Sequence, residues 1–443
     1  MPIRNYPEQG PSEIIQRLDA TARAFEDWRR LTFAERAAYL TAAAAMLRAR
    51  ADEYARVMAE EMGKPLAQGG AEIEKCAWVC DYFAARAAGF LAPEQLESDF
   101  SRAYVCWQPL GIVLAVMPWN FPFWQVFRCV VPALMAGNAV ALKHASNVSG
   151  CALAIGGVFR QAGFPVSVFQ NLMVDSRHLE PALAHPAVRG VTLTGSTEAG
   201  RALAAAAGSH LLKTVLELGG SDPYLVLEDA DPREAAMICA AARLVNSGQS
   251  CIAAKRFIVV ESVRELFENY LREAFEQQVL GDPLDEATTV GPLARVDLRD
   301  ALDDQVKHSL QLGARCLLGG QRPVGRGAFY PPTLVTGVRP GMPVFDEETF
   351  GPVAAVVPAA DEAEAIRLAN QSPFGLGAAV FCADPARGER VALQLEAGCC
   401  FINDRVRSDP RQPFGGIKAS GYGRELGLLG IREFVNAKTM VVG

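Results

Sequence analysis

The sequence predicts an α/β fold made of two parallel-sheet units. Strand-like runs alternate with Ala-rich helical stretches from about residue 103 onward. That order, strand then helix then strand, is the signature of a parallel sheet with helices on its faces. The alternation restarts after Gly219-Gly220, so two units meet near residue 219. A chain of 443 residues has room for two or three domains, and it carries no internal repeat and no long flexible linker.

The first ninety residues read as helices. Thr32-Phe33-Ala34-Glu35 is a capping box, followed by Phe33, Ala37, Leu40, Ala44 and Leu47 at helical spacing. A second helix runs through Tyr54, Val57 and Met58 and stops at Gly63, with Pro65 just beyond. A third covers Glu72 to Ala88. Strands are expected at Ala103–Trp107 and Gly111–Val116, separated by Gln108-Pro109-Leu110. Then come Ala139–Leu142 with helix Cys151–Gln161, and Gly190–Leu193 with helix Glu198–Ala207. The second series has strands at Tyr224–Leu227, Arg256–Val260, Val353–Val357 and Ala378–Phe381, with helices Arg264–Gln278 and Glu362–Asn370 between them. Lys438–Val442 reads as a closing strand.

Half the residues are hydrophobic and the formal net charge is −7, without a basic stripe, which excludes an ordinary nucleic-acid binder. No apolar run reaches the roughly 18–20 residues of a membrane span. The start, Met1-Pro2-Ile3-Arg4-Asn5, lacks an apolar signal core, so export is not expected. Eleven cysteines without a Cys-x-x-Cys pair suggest a reducing compartment, the cytoplasm. Cys76 and Cys80, one helical turn apart, suit helix packing. Cys399 and Cys400 could bridge only with strain. Five scattered histidines argue against a zinc site.

Three segments carry chemistry. In Asn246-Ser247-Gly248-Gln249-Ser250-Cys251, a cysteine behind small polar residues is an exposed nucleophile or a core thiol. In Leu216-Glu217-Leu218-Gly219-Gly220, a lone acid at a strand end is a base with a burial-raised pKa, or the partner of an unseen Lys or Arg. In Pro118-Trp119-Asn120-Phe121-Pro122, two prolines pin an Asn amide able to hold an oxyanion, or simply shape a rigid turn around a core Trp. Together, a thiol, an isolated acid and a fixed amide are what making and hydrolysing a thioester requires.

With these segments the chain resembles the aldehyde dehydrogenase superfamily. The matching stretches, in family order, are Pro118–Pro122, Lys143, Thr194–Gly200, Glu217–Gly220, Gly248–Cys251, Glu348-Thr349-Phe350-Gly351-Pro352 and Pro413–Lys418. The resemblance extends from about residue 12 to the end and implies two Rossmann-type α/β domains plus a small oligomerisation β-element. The cofactor-binding domain would comprise 1–91 and 112–219, and the catalytic domain 220–419. The hairpin 92–111, drawn around Asp99 to Val113, and the tail 432–443 would serve oligomerisation, the tail pairing with a neighbour's sheet.

The resemblance implies that Cys251 is the nucleophile, acting as an ionised thiolate. Asn120 and the Cys251 backbone N–H would hold the oxyanion, and Glu217 would activate water. Glu425 matches an acid assigned to proton relay, or forms a structural ion pair. NAD or NADP would bind through Trp119, Lys143, Ser146, Gly195, Ser196, Leu218, Glu348 and Phe350. Gly195-Ser196 would meet the pyrophosphate at a helix N-terminus. Ser146 stands where strictly NAD-dependent relatives often carry Glu, so both cofactors are expected to be accepted, unless Ser146 is only a helix cap. Two departures matter. Cys129 replaces a Lys, which puts a relay there in doubt, and Ala253 replaces a second Cys, which removes a redox switch.

For the aldehyde, Arg128 and Ser408 match residues that hold the substrate carboxylate in succinate-semialdehyde dehydrogenases, and the local sequence resembles their short bacterial branch. A second arginine anchor is replaced by Val245, and Arg243 lies out of register. Arg128 is alternatively a structural ion pair. Three rival readings stand. One is a broad-specificity enzyme for uncharged aldehydes, lined by Phe123, Trp124 and Phe127. Another is a silent binding protein on the same fold. The third is transfer to coenzyme A, which the presence of Glu217 disfavours.

Overall fold

The computed structural model describes residues 6–325 and 327–443, so the opening Met1–Asn5 lies outside the described residues. Four helices begin the chain: α1 (Pro11–Trp28), α2 (Phe33–Ala49), α3 (Ala51–Met62) and α4 (Leu66–Phe90). The capping box is formed. The Glu35 N–H donates to the Thr32 hydroxyl at 3.2 Å, and the Thr32 N–H donates to the Glu35 carboxylate at 2.7 Å. Gly63 ends α3 in the left-handed region, φ 79°. α4 starts at Leu66 rather than Glu72, directly behind Pro65. It runs through Gly69 because α3 lies there; a Cβ on Gly69 would stand 2.9 Å from the Ala55 methyl.

Three sheets follow. A small antiparallel one has the order β1 (Glu94–Gln95), β2 (Arg102–Pro109), then the tail strand Val435–Val442. The parallel strands β3 (Ile112–Met117), β4 (Ala139–His144), β5 (Phe169–Asn171), β6 (Val188–Thr194) and β7 (Lys213–Glu217) lie in the order β7-β6-β3-β4-β5, with Gly421–Tyr422 antiparallel at the β7 edge. The second large sheet runs Arg315–Leu318, Thr333–Thr336, Val353–Ala359, Arg256–Val260, Pro223–Val226, Gly377–Phe381, Cys399–Ile402, all parallel except the first.

A hairpin forms inside 92–111, between β1 and β2, but the two strands expected on either side of Gln108-Pro109-Leu110 do not pair with each other. β2 pairs with β1 and with the chain's own tail, while β3 enters the parallel sheet. Burial explains the split. Every residue of β3 is buried, as only an interior strand allows, whereas β2 is mostly half-exposed. Val113, Ala115 and Met117 face the core under α2–α4, and Ile112, Leu114 and Val116 face α1. Among the described residues no helix is long and apolar enough to cross a membrane.

After β3 the chain builds β4 and β5 on one side, then returns to build β6 and β7 on the other. The carboxyl ends of β3 and β6 therefore flank the point where strand order reverses, where open α/β sheets bind ligands. Pro118–Pro122, Lys143, Gly195-Ser196 and Leu218 all lie at or just past the carboxyl ends of these strands.

Candidate active site

The segment before Cys251 is shaped by three successive left-handed residues: Asn246 (φ 53°), Ser247 (55°) and Gly248 (77°). Position 248 accepts only glycine, since a Cβ would lie 2.2 Å from the Gly351 carbonyl oxygen. The strain at Asn246 and Ser247 is offset by buried hydrogen bonds. The Asn246 N–H donates to Gln68 Oε1 at 2.6 Å, its Nδ2 donates to the Asn120 carbonyl at 2.6 Å, and the Gly291 N–H donates to Ser247 Oγ at 2.9 Å. Two buried cations hold the carbonyl side. Arg243 Nη2 donates to Gly248 O at 2.5 Å, and Lys255 Nζ donates to the carbonyls of Ser250, Cys251 and Ala253 at 3.0, 2.8 and 3.1 Å.

Cys251 is half-buried on the wall of a pocket of about 1000 Å³. Burial pushes its pKa up to about 12, against the opposing pull of Arg128 and Lys255. Burial thus favours the neutral thiol in the cofactor-free protein. Ionisation has to accompany the reaction.

Asn120 sits in the turn after β3. His144 fixes that turn, since its Nδ1 accepts the Ala145 N–H at 2.9 Å and its Nε2 then donates to the Pro122 carbonyl at 2.8 Å. Burial lowers the His144 pKa to about 4, so the ring is neutral at physiological pH. Asn120 Nδ2 donates to the Gln249 carbonyl at 3.1 Å, which leaves one amide N–H for a ligand.

Glu217 ends β7, buried, with no hydrogen-bond partner on either carboxylate oxygen among the described residues. Burial raises its pKa well above the usual range; Arg128 opposes this and Glu425 adds to it. A paired-acid arrangement is not found for it among the described ion pairs. The backbone beyond it reaches the nucleophile segment: a Cβ on Gly220 would stand 2.6 Å from the Cys251 carbonyl oxygen. The three segments singled out in the sequence are thus in contact.

Arg128, on helix α5 (Trp124–Met135), is buried and ion-paired through Nε to Glu425. Its Nη2 donates to Thr194 Oγ1 at 3.3 Å, and its guanidinium lies 4.9 Å from the centre of the Phe414 ring. The ion-pair alternatives for Arg128 and Glu425 are therefore one pair. Arg128 nevertheless lines the pocket together with Cys251 and Ser408. Cys129 is buried, its thiol donating to the Val126 carbonyl at 3.3 Å, and burial pushes its pKa far up. Phe123 and Phe127 are core residues rather than pocket walls, Phe127 stacking on Phe159 at 5.3 Å. The aromatic walls are Phe121, Trp124, Trp78 and Phe414.

Ser196 caps helix Thr197–Ser209, its hydroxyl accepting the Ala199 N–H at 3.2 Å. This leaves an anion-favouring helix start at the sheet's carboxyl edge. Lys143 is buried near the end of β4, and burial lowers its pKa. Ser146 is exposed and caps nothing: the following helix, Ser149–Gln161, has Val148 at its cap without a side-chain bond. Leu218 donates its N–H to Ser420 O at 3.0 Å. Glu348 accepts the Gly220 N–H at 3.0 Å and lies 3.7 Å from Lys255 Nζ. Trp119 and Phe350 meet edge to face at 5.7 Å. Basic, capped and aromatic groups of this kind fit a dinucleotide, with Glu348 beside the nucleophile segment.

Comparison with known proteins agrees with this geometry. The pattern of the Aldehyde dehydrogenase family matches residues 1–440. The chain is 50% identical over 438 residues to a probable succinate-semialdehyde dehydrogenase [NADP(+)] of Synechocystis sp., covering 99% of this chain and 96% of that protein. It is 45% identical over 434 residues to the Escherichia coli succinate semialdehyde dehydrogenase [NAD(P)+] Sad, covering 98% and 94%. A crystal structure of succinic semialdehyde dehydrogenase from Streptococcus pyogenes with NADP+ superposes with a TM-score of 0.97 at 36% identity, covering 99% of this chain and 97% of that one. With the thiol, acid and amide segments in contact at the sheet edge and the match running almost end to end, the chain belongs to the aldehyde dehydrogenase family.

Proposed function

We propose that this enzyme oxidises succinate semialdehyde to succinate with NAD or NADP, through a thioester on Cys251. The observation that carries the proposal is the pocket itself, which joins Cys251 to the guanidinium of Arg128 and the hydroxyl of Ser408. A four-carbon aldehyde acid needs a nucleophile at one end and a cation with a hydrogen-bond donor at the other. The relatives named above add weight.

Cys251 gives up its proton to water in the pocket, as Arg128 and Lys255 favour the thiolate, and its Sγ bonds to the aldehyde carbon as the C=O π pair moves onto oxygen. Asn120 Nδ2 and the Cys251 N–H hold the resulting oxyanion. Trp119, Lys143, Ser146, Gly195, Ser196, Leu218, Glu348 and Phe350 would hold NAD or NADP, which when bound would supply the acceptor for the hydride leaving the former aldehyde carbon. Glu217 then takes a proton from water, whose oxygen attacks the thioester carbon. The C–S bond breaks, the acid leaves and ionises to succinate, and the Cys251 thiolate takes back a proton from Glu217. A base with a raised pKa suits this step near neutral pH. Ser146 in place of a carboxylate leaves room for a 2′-phosphate, which favours use of both cofactors.

In this reading, 1–91 and 112–219 hold the cofactor and 220–419 supply the nucleophile. The elements within 92–111 and 432–443 serve a homodimer or homotetramer. The tail strand Val435–Val442 has a free outer edge and exposed side chains, which suits pairing with a second copy. Eleven free thiols suit the cytoplasm.

The test is kcat/KM for succinate semialdehyde against butanal, with NAD and NADP side by side. A preference of about a hundredfold for the acid is expected. Equal values would favour the uncharged-aldehyde reading, for which the aromatic walls are suited.

A further inference from the structure

We propose that Lys75 is the second cation of the carboxylate site, and that it acts together with Ser408 at the point where Val245 supplies none. This rests on the substrate reading above and assigns a residue to it that the sequence motifs do not reach.

Lys75 lies on α4, with Glu72 and Trp78 beside it on the helix face that lines the Cys251 pocket. Its Nζ lies 4.3 Å from the centre of the Trp124 ring and donates to Ser408 Oγ at 2.9 Å. Trp124 Nε1 donates to the same oxygen at 3.1 Å. A serine oxygen has two lone pairs, and both are taken by these donors. The only hydrogen-bonding capacity left to the Ser408 hydroxyl is its proton. Lys75 and Trp124 therefore fix Ser408 as a donor, and no acceptor for that proton is found among the described hydrogen bonds. The missing partner is an acceptor, as a carboxylate is.

Charge accounting leads to the same place. Glu72 is ion-paired to Lys64 and accepts the Phe123 and Trp124 N–H groups at 2.9 Å each. Asp409 is ion-paired to Arg411 at 2.6 Å, and Glu425 to Arg128. Among the described residues no carboxylate lies within ion-pair distance of Lys75. Its pKa is lowered to about 8, first by burial and then by Arg128, with Cys76, Glu72 and Asp409 opposing. A half-buried ammonium that feels the buried Arg128 guanidinium, with no carboxylate in ion-pair range among the described residues, is a site that an anion relieves. Arg128 shares its charge with Glu425, so Lys75 supplies the uncommitted one.

The experiment compares wild type, Lys75→Met and Lys75→Arg. It measures steady-state kinetics with succinate semialdehyde and with butanal, and competitive inhibition by succinate. The expected result for Lys75→Met is a ten- to hundredfold rise in KM for the semialdehyde and in Ki for succinate. kcat should change little, and butanal turnover should be unchanged or improved. Lys75→Arg should recover most of the affinity. Wild-type kcat/KM for the semialdehyde should fall as pH rises through about 8, where the ammonium loses its proton, and the Arg variant should lose that limb. An equal loss for both aldehydes, or no loss for either, overturns the role of Lys75. If wild type itself shows no preference for the acid, the substrate reading fails with it. If the preference exists and survives in Lys75→Met, only this proposal fails.

Discussion

Asn246 Nδ2 donates to the backbone carbonyl of Asn120 at 2.6 Å, and the same amide donates to Gln249 O at 3.1 Å. One buried side chain thereby registers the Asn120 turn of the first sheet against the Cys251 segment of the second. Asn246→Ala should lower kcat by about tenfold to a hundredfold, because small misplacement of reacting groups is costly. It should also destabilise the fold by about 1–3 kcal/mol through the unpaired carbonyls. Kinetics beside thermal unfolding checks both. Unchanged turnover would show that the two segments hold register without it.

In the proposed mechanism the Asn120 amide N–H left free by its bond to the Gln249 carbonyl holds the oxyanion, and Asn120→Ala removes it. A loss of about a hundred- to a thousandfold in kcat is expected, with KM little changed. A loss confined to KM would assign Asn120 to ground-state binding instead.

Arg128 cannot be tested alone, because removing it strands Glu425 as a buried, unpaired acid. Arg128→Met should cost about 3–5 kcal/mol of stability, and Arg128→Met with Glu425→Gln should recover much of it. In the double variant the loss of activity should be confined to succinate semialdehyde. Thermal melts and the aldehyde pair measure this, and equal loss for butanal contradicts the anchor.

The Cys251 pKa, raised to about 12 by burial, has a direct consequence for labelling. In cofactor-free enzyme the rate of alkylation by iodoacetamide should keep rising through pH 9, because the thiolate is favoured only above the raised value. A plateau near pH 7 would mean that the sulfur is already ionised at rest.

Much of this was legible in the sequence, and the limits have physical causes. Strands such as Arg256–Val260 and helix Glu362–Asn370 coincide with their apolar patterns because local propensity and burial agree there. The start of α4 does not, since Gly69 is helical only because α3 packs on it. The fate of β2 depends on a tail more than 300 residues away, which no local pattern encodes. Cys251, Glu217 and Asn120 stand in distinctive segments. The supporting groups Lys255, Arg243 and Lys75 are ordinary basic residues in sequence; burial marks the first two, and the bond to Ser408 marks Lys75. A lysine on a helix face shared with Trp78 was the one available signal for Lys75. Phe123 and Phe127 misled because helical neighbours of a pocket residue point the other way.

The most direct test of the thioester is peptide mass spectrometry of the Glu217→Gln variant, mixed with succinate semialdehyde and NADP and quenched within a turnover. Deacylation slowed by about a hundred- to ten-thousandfold should leave a succinyl group on Cys251 alone. An unmodified Cys251 peptide beside newly formed succinate would contradict the account.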